Sequence, residues 1–455
     1  MFAESNMLNI YIVLFNIALF FVLSKFAYFL YGSKVNFLSV FALVWIFLLM
    51  LAELNLGNYY ELSFEMTILY YIPLLGILLG SFIAKHKVVK KSIKINTLVL
   101  DNHTLGKKEL FLSYILLVIS VIMFIIVIKF ASSMGFSLQD IKNFRYSKDA
   151  AATFSILENL APIIWFYHAT AMYLIILALF NFKSTDKKRT YKVLSITSLA
   201  LLIFESSMGS REAILWMIEL IVAYILIISI YNNRVKYRFN FKSIKRKSIY
   251  AVLSLFIAIV IVSLMRKTDE SNNILVIYNY FISYFTGPFV AADQMILTDK
   301  INDYGDIRFG LSFWGLDSLI VSGVMRFLFQ VDIQSLNGLI SYMFHFGVYI
   351  SETEKTNAFY TCLLPLYMDG GIWYIFFYFI VIGFITLKLH TRLVKKYNLF
   401  DFSIYMIFYL FIFMAPRTLV FMLPSIWLLM LAMTIKTKLK FKIGKRSEKA
   451  INSYN

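Results

Sequence analysis

Cysteine occurs once in this chain, at Cys362, so no internal disulfide and no cysteine-built metal centre can form. Charge is scarce as well: Asp, Glu, Lys and Arg make up 15% of the 455 residues, and the acids are outnumbered 26 to 44. No G-x-x-x-x-G-K stretch is present, which excludes a P-loop for nucleotide phosphates. Nor is there a contiguous basic face. The lysines and arginines fall in short clusters between apolar runs, so the net charge of +18 reflects membrane topology rather than nucleic-acid binding. Internal repeats and paired broken helices, the marks of many transporters, are not legible.

What is present is apolar. Hydrophobic residues are 60% of the chain, with 45 Phe and 30 Tyr, and mean hydropathy is +0.74. Repeated apolar runs of membrane-crossing length predict an all-α polytopic integral membrane protein, one transmembrane domain over 1–455. The runs place spans at 8–30, 36–56, 63–84, 110–131, 155–182, 193–208, 213–231, 248–265, 361–387, 399–415 and 418–435. The first run lacks a basic region ahead of it, and Lys25 and Lys34 come after the apolar stretch. It is therefore expected to be an uncleaved span with its N-terminus outside.

Charge sets the orientation. Segments 85–108, 183–192, 232–247, 388–396 and the tail from Lys436 hold 30 of the 44 Lys and Arg, against 11 on the opposite side. These segments are expected in the cytoplasm. All are short, so no cytosolic nucleotide-binding domain can fold there, which argues against an ATP-driven pump or a sugar-nucleotide synthase. The outlying feature is the external segment 266–360. Within it, Ile274–Leu297 and Leu316–Ile333 are nearly apolar enough to enter lipid, but Asp293, Asp317 and Arg326 interrupt them. They are expected to lie at, or re-enter, the outer interface; if both cross, eleven spans become thirteen. Long structured loops are usually functional.

Charged residues inside apolar runs are the candidates for chemistry. The stretch FESSMGSREAILWMIEL, Phe204 to Leu220, puts Glu205, Arg211, Glu212 and Glu219 among membrane-like residues. Arg211 is expected near the outer interface, where its guanidinium can fork onto a phosphate and the start of the next helix also favours an anion. Alternatively it pins a helical hairpin by pairing with Glu205 or Glu212. Glu219 can hold Arg211 from deeper in the same helix. Arg266, Arg308, Arg326 and Arg417 are the other external arginines, suited to a lipid-borne phosphate or to headgroups. His345 is the only external histidine and the leading candidate base, with Glu352 and Glu354 as rivals. Asp299, Asp303 and Asp306 read as a solvated acidic loop rather than a metal site.

A span ending in SSMGSREAILW, an external loop carrying RFGLSFWGL, and then NAFYTCLLPLYMDGGIWYIFFYFIVIGF (Asn357 to Phe384) resemble the bacterial oligosaccharide repeat-unit polymerases, the O-antigen or capsule polymerases of the Wzy type. The likeness covers roughly residues 190–390 and the span plan. That family is usually described with its N-terminus inside, so the orientation read here departs from it. The resemblance implies an enzyme of the bacterial inner membrane with its site facing the periplasm. Such an enzyme transfers the growing glycan from undecaprenyl pyrophosphate onto the non-reducing end of a lipid-linked repeat unit, with no cofactor and no metal. It implies catalysis by Arg211 with His345 or Glu352, and substrate contacts from Arg266, Arg308, Trp314, Asp317, Arg326, Asp369 and Arg417. Membrane lipid, a chain-length regulator and a flippase of the same pathway are the implied partners. An O-antigen ligase and a lipid-linked oligosaccharide flippase or carrier are the alternatives.

Overall fold

The computed structural model describes residues 2–55, 58–89, 105–132, 161–182, 186–207, 212–235, 273–297, 316–320, 348–352, 354–356, 360–395 and 397–436. The chain is mostly helical. In order, the helices are α1 (Phe2–Tyr31), α2 (Phe37–Glu53), α3 (Phe64–Val89), α4 (Lys107–Ser132), α5 (Ala161–Phe180), α6 (Lys187–Ser207), α7 (Glu212–Val235), α8 (Asn273–Leu297), α9 (Leu316–Leu319), α10 (Leu363–Lys395), α11 (Leu399–Met414) and α12 (Pro424–Lys436). A two-residue antiparallel ladder joins β1 (Val348–Tyr349) to β2 (Lys355–Thr356), and a 3-10 turn covers Val420–Met422.

Short polar residues start several of these helices, satisfying free N-terminal N–H groups. Asn36 accepts from the Ser39 N–H at 2.9 Å, and the Ser39 hydroxyl accepts from the Asn36 N–H at 3.2 Å, a reciprocal box at the head of α2. Ser63 accepts from the Met66 N–H at 3.2 Å before α3, and Asn398 from the Asp401 N–H at 2.9 Å before α11.

Among the described residues, five helices are long and apolar enough to cross a membrane: Ile10–Tyr31, Phe64–Lys87, Lys107–Ile126, Ile163–Phe180 and Leu363–Lys395. At about 1.5 Å per residue, helices of this size match a hydrocarbon core of about 30 Å. The apolar stretches Phe37–Glu53, Leu215–Ile230, Leu399–Met414 and Pro424–Lys436 are shorter. Helix α6 opens with Lys187, Lys188, Arg189 and Lys192, which lowers its apolar character. Tyr11, Phe15, Phe21 and Phe29 on α1 and Phe111, Val118 and Ile125 on α4 are all exposed. So large an apolar surface is costly in water and natural against lipid. The predicted span 248–265 lies outside the described residues. Helix α10 continues past its predicted end at 387 to Lys395, because long cationic side chains such as Lys388 and Arg392 can cover apolar surface while their charges reach water.

The contacts divide the chain into two compact units: Met1–Asn96 with Ile221–Lys395 and Phe408–Leu423, and Thr97–Leu220 with Lys396–Ile407 and Pro424–Asn455. In the first, α3 and α10 touch backbone to backbone. A Cβ on Gly80 would overlap the Ile380 carbonyl, and one on Gly383 would overlap the Ile77 carbonyl. Gly76 and Gly80 form the small-residue spacing that lets membrane helices approach closely. Tyr31, Ser81 and Thr386 hydrogen-bond beside this contact, at 3.0 and 3.1 Å from the tyrosine hydroxyl. On α2, Phe37, Phe41 and Trp45 recur at every fourth residue, so their rings stack along one face and meet Phe379, Phe411 and Phe289.

In the second unit, α6 packs against α4 and α5. The Lys436 ammonium, at the end of α12, bonds Glu109 of α4 at 2.9 Å and the Tyr173 hydroxyl of α5. The sequence placed Lys436 at the start of a basic tail expected in the cytoplasm. Here its charge is engaged by a carboxylate and a phenol, both half-buried.

Candidate functional site

Arg417 sits in the turn after α11. Pro416 has no N–H to continue a helix, and the chain reverses as the Arg417 and Thr418 N–H groups each bond the Met414 carbonyl at 2.8 Å. The turn is then laced to the chain leading into α10: the Cys362 N–H bonds the Ala415 carbonyl at 2.8 Å, and the Tyr360 N–H bonds that of Arg417 at 3.0 Å. Arg417 is only 2% exposed. Its Nη1 donates to the Tyr284 hydroxyl of α8 at 3.2 Å, and the guanidinium carbon lies 5.5 Å from the centre of that ring. Its Nη2 donates to the Phe413 carbonyl at 3.4 Å, so the guanidinium is held by a ring, a hydroxyl and a carbonyl.

Helix α8 is what the external segment brings to this place. The sequence put it at the lipid interface. In the structure it packs against α2 and the β1–β2 hairpin, and Phe289, Val290, Ala291, Ala292 and Asp293 are buried in succession. A helix enclosed on several faces needs its acid satisfied, and Ser63 does this. Its N–H and hydroxyl donate to the two Asp293 oxygens at 2.8 and 2.7 Å. Burial still outweighs these bonds and holds the Asp293 carboxyl above the usual carboxylate range.

The hairpin is tied in at both ends. The Tyr60 N–H bonds the Ile350 carbonyl at 2.8 Å, and the Ser283 hydroxyl of α8 donates to Glu354 Oε1 at 2.7 Å. Glu352 is exposed at the bend, whereas Glu354 is committed to α8. Helix α9, carrying the buried Asp317, packs on the 3-10 turn that follows Arg417.

The Asp-Gly-Gly motif interrupts α10. Gly371 has φ 67° and ψ −160°, a conformation open essentially only to glycine, so the helix stops and restarts there. Asp369 is fully buried at the end of the first piece. Measured along that piece, it lies about 10 Å from the Cys362 ladder, at about 1.5 Å per residue.

The structure thus brings Arg417 and Tyr284 together at one end of the first unit, with Glu354 bonded to the adjacent Ser283; Asp293 lies further along α8, Asp317 on the adjoining helix and Asp369 further down α10. Arg211, Arg266, Arg308, Trp314, Arg326 and His345 lie outside the described residues, as do Asp299, Asp303 and Asp306. Glu212 begins α7, and Glu219 is buried on it. Glu205, expected beside Arg211, is in the second unit with its Oε1 2.6 Å from His168 Nε2.

Sequence reasoning did not single out His168, Tyr284 or the Ser63–Asp293 link. A histidine within a predicted span was signal enough for the first. Nothing local marks the other two, whose partners are distant in sequence. No group of three or more His, Cys, Asp or Glu suited to a metal occurs among the described residues. Compared with protein-family models, curated proteins and solved structures, the chain matches none, and its functional reading rests on its own residues.

Proposed function

We propose that this chain is a repeat-unit polymerase of the bacterial inner membrane. It would transfer a growing glycan from undecaprenyl pyrophosphate to a lipid-linked repeat unit at the periplasmic face. The observation that carries the reading is the buried Arg417, held at the end of the first unit by pieces of the long external segment. Helix α8 and the hairpin close over the same end where α3 and α10 begin, which makes the segment part of the site's frame. A guanidinium in apolar surroundings at a helix-bundle end suits a phosphate carried by lipid.

Connectivity agrees with the alternation of span ends in the eleven-span reading. Segments expected outside meet one another, Tyr60 with Ile350 and Tyr360 with Arg417. Parts expected at the cytoplasmic side also meet: Lys85 donates to the Phe29 carbonyl at 2.7 Å, and Tyr31 bonds Ser81 and Thr386.

In this reading Arg417 binds an anionic group of the lipid-linked substrates. Arg211 takes the leaving pyrophosphate, and Arg266, Arg308 and Arg326 are further candidates from sequence. Loss of a transition-state donor for such a leaving group typically costs about 100- to 1000-fold. The donor is already activated, so no cofactor is required. A chain-length regulator and a flippase are the expected partners.

One observation favours a second reading, a lipid-linked glycan carrier: α10 is a span-length helix broken at Gly370–Gly371, and broken helices line the sites of many transporters. Deleting the gene separates the two. A polymerase mutant leaves single repeat units on the outer lipid core, whereas a carrier mutant leaves none. A ligase mutant leaves long chains on the carrier lipid.

A further inference from the structure

We propose that His168, held by Glu205, is the general base of the transfer reaction and that Trp216 holds the acceptor oxygen; this rests on the polymerase reading above. The three residues come from α5, α6 and α7 and lie within the second unit. His168 Nε2 is 2.6 Å from Glu205 Oε1, and their side chains are 14% and 8% exposed. A hydrogen-bonded histidine and acid inside apolar helices is costly to bury and is a functional signal by default.

The surroundings point to a ligand. The Trp216 ring stands edge-on to the imidazole, 5.3 Å between centres and 81° between planes, and Phe204 closes another side at 5.6 Å. The Trp216 indole N–H is buried and finds no acceptor among the described residues. A buried donor without a partner is uncommon and asks for an oxygen. An indole N–H, a carboxylate–imidazole pair and flanking aromatic rings are the groups that recognise a sugar hydroxyl and the apolar face behind it. Tyr167 is the neighbouring titratable group on α5, and its hydroxyl is taken up by Ser120 at 2.7 Å. The acids on α7 are Glu212 at its start and Glu219, about one turn beyond Trp216.

The chemistry balances. Glu205 accepts the Nε2–H, which leaves the Nδ1 lone pair for the proton of the acceptor hydroxyl. The acceptor oxygen forms a bond to the anomeric carbon of the donor glycan. The anomeric C–O bond to the pyrophosphate breaks, and its electron pair leaves with the pyrophosphate oxygen. Glu205 then faces the imidazolium it helped to create, as a carboxylate behind a catalytic histidine does. Arg211, six residues beyond Glu205 in sequence, is the candidate for the departing charge.

The test is made in the source bacterium, with each variant replacing the native gene, glycan length read on gels and chain amount read by blotting membranes. Glu205→Gln and His168→Gln are each expected to leave mainly single repeats at normal protein amount, with the rate down by about 100- to 10,000-fold. Glutamine at 205 keeps an acceptor of the same size for His168. Normal chain lengths in Glu205→Gln would therefore reduce the bond to a strut and overturn the proposal. Should His168→Gln be lost from the membrane, replacing Trp216 by 3-benzothienylalanine through nonsense suppression decides, since it keeps the bicyclic ring and exchanges only the N–H for sulfur. A loss of about tenfold supports the proposal, and unchanged chain length overturns it. The deletion strain is the control for the underlying reading: if it does not accumulate single repeats, the polymerase assignment itself fails, and the base with it.

Discussion

A Gly80→Leu chain is expected to be lost as a folded membrane protein. The position has no room for even one carbon, because a Cβ there would enter the Ile380 carbonyl, which is backbone and cannot swing aside. Leucine would have to push α3 and α10 apart, and with them the Gly383–Ile77 contact and the bonds of Tyr31 with Ser81 and Thr386. Overpacking ordinarily costs about 1–3 kcal/mol, and a blocked backbone contact belongs at or above the top of that range. The neighbouring Ser81→Ala removes hydroxyl bonds but adds no bulk, and should cost only about 1 kcal/mol. Thermal unfolding of the detergent-purified chains, with their yields, checks both. A Gly80→Leu protein as stable as Ser81→Ala would mean that α3 and α10 do not pack in this way.

Arg417→Ala is expected to abolish glycan extension while leaving the protein in the membrane. The Arg417 backbone carbonyl, which pairs with Tyr360, survives any side-chain change, so the turn itself should persist. What disappears is the fork beside Tyr284. On the proposed role, activity falls by about 100- to 1000-fold. Arg417→Lys keeps the charge without the fork and should retain part of the activity. Tyr284→Phe keeps the ring under the cation and removes only the hydroxyl, so its effect should be about tenfold or less. Chain-length gels with membrane blotting give the answer. Disappearance of the Arg417→Ala protein would make the side chain a strut rather than a binding group.

Much of the helical plan was legible because a membrane helix declares itself locally. The expected spans 63–84 and 399–415 are realised as Phe64–Val89 and Leu399–Met414, each started by a capping residue visible in sequence. The Asp-Gly-Gly motif stood out, but its spelling does not say that Gly371 breaks the helix; that depends on a backbone angle. Asp293 set the reading of α8 at the outer interface. An acid in an apolar run argues for an interface unless a partner exists, and Ser63, 230 residues away, cannot be seen from the run itself. Glu205 was read toward Arg211, its neighbour in sequence, because hairpin logic favours near residues. The structure sets it against His168 of the preceding helix, while Arg211 lies outside the described residues. Gly76 and Gly80 were a readable spacing that charge-centred reasoning passed over.

The most direct measurement is reconstitution. The purified chain in proteoliposomes is supplied with the source bacterium's undecaprenyl-pyrophosphate-linked repeat unit, and the products are resolved by mass spectrometry. The account predicts a ladder of glycans growing by one repeat unit, with one undecaprenyl pyrophosphate released for each bond formed. Repeat units that cross the bilayer unchanged, with no new glycosidic bond and no pyrophosphate carrier released, would contradict it.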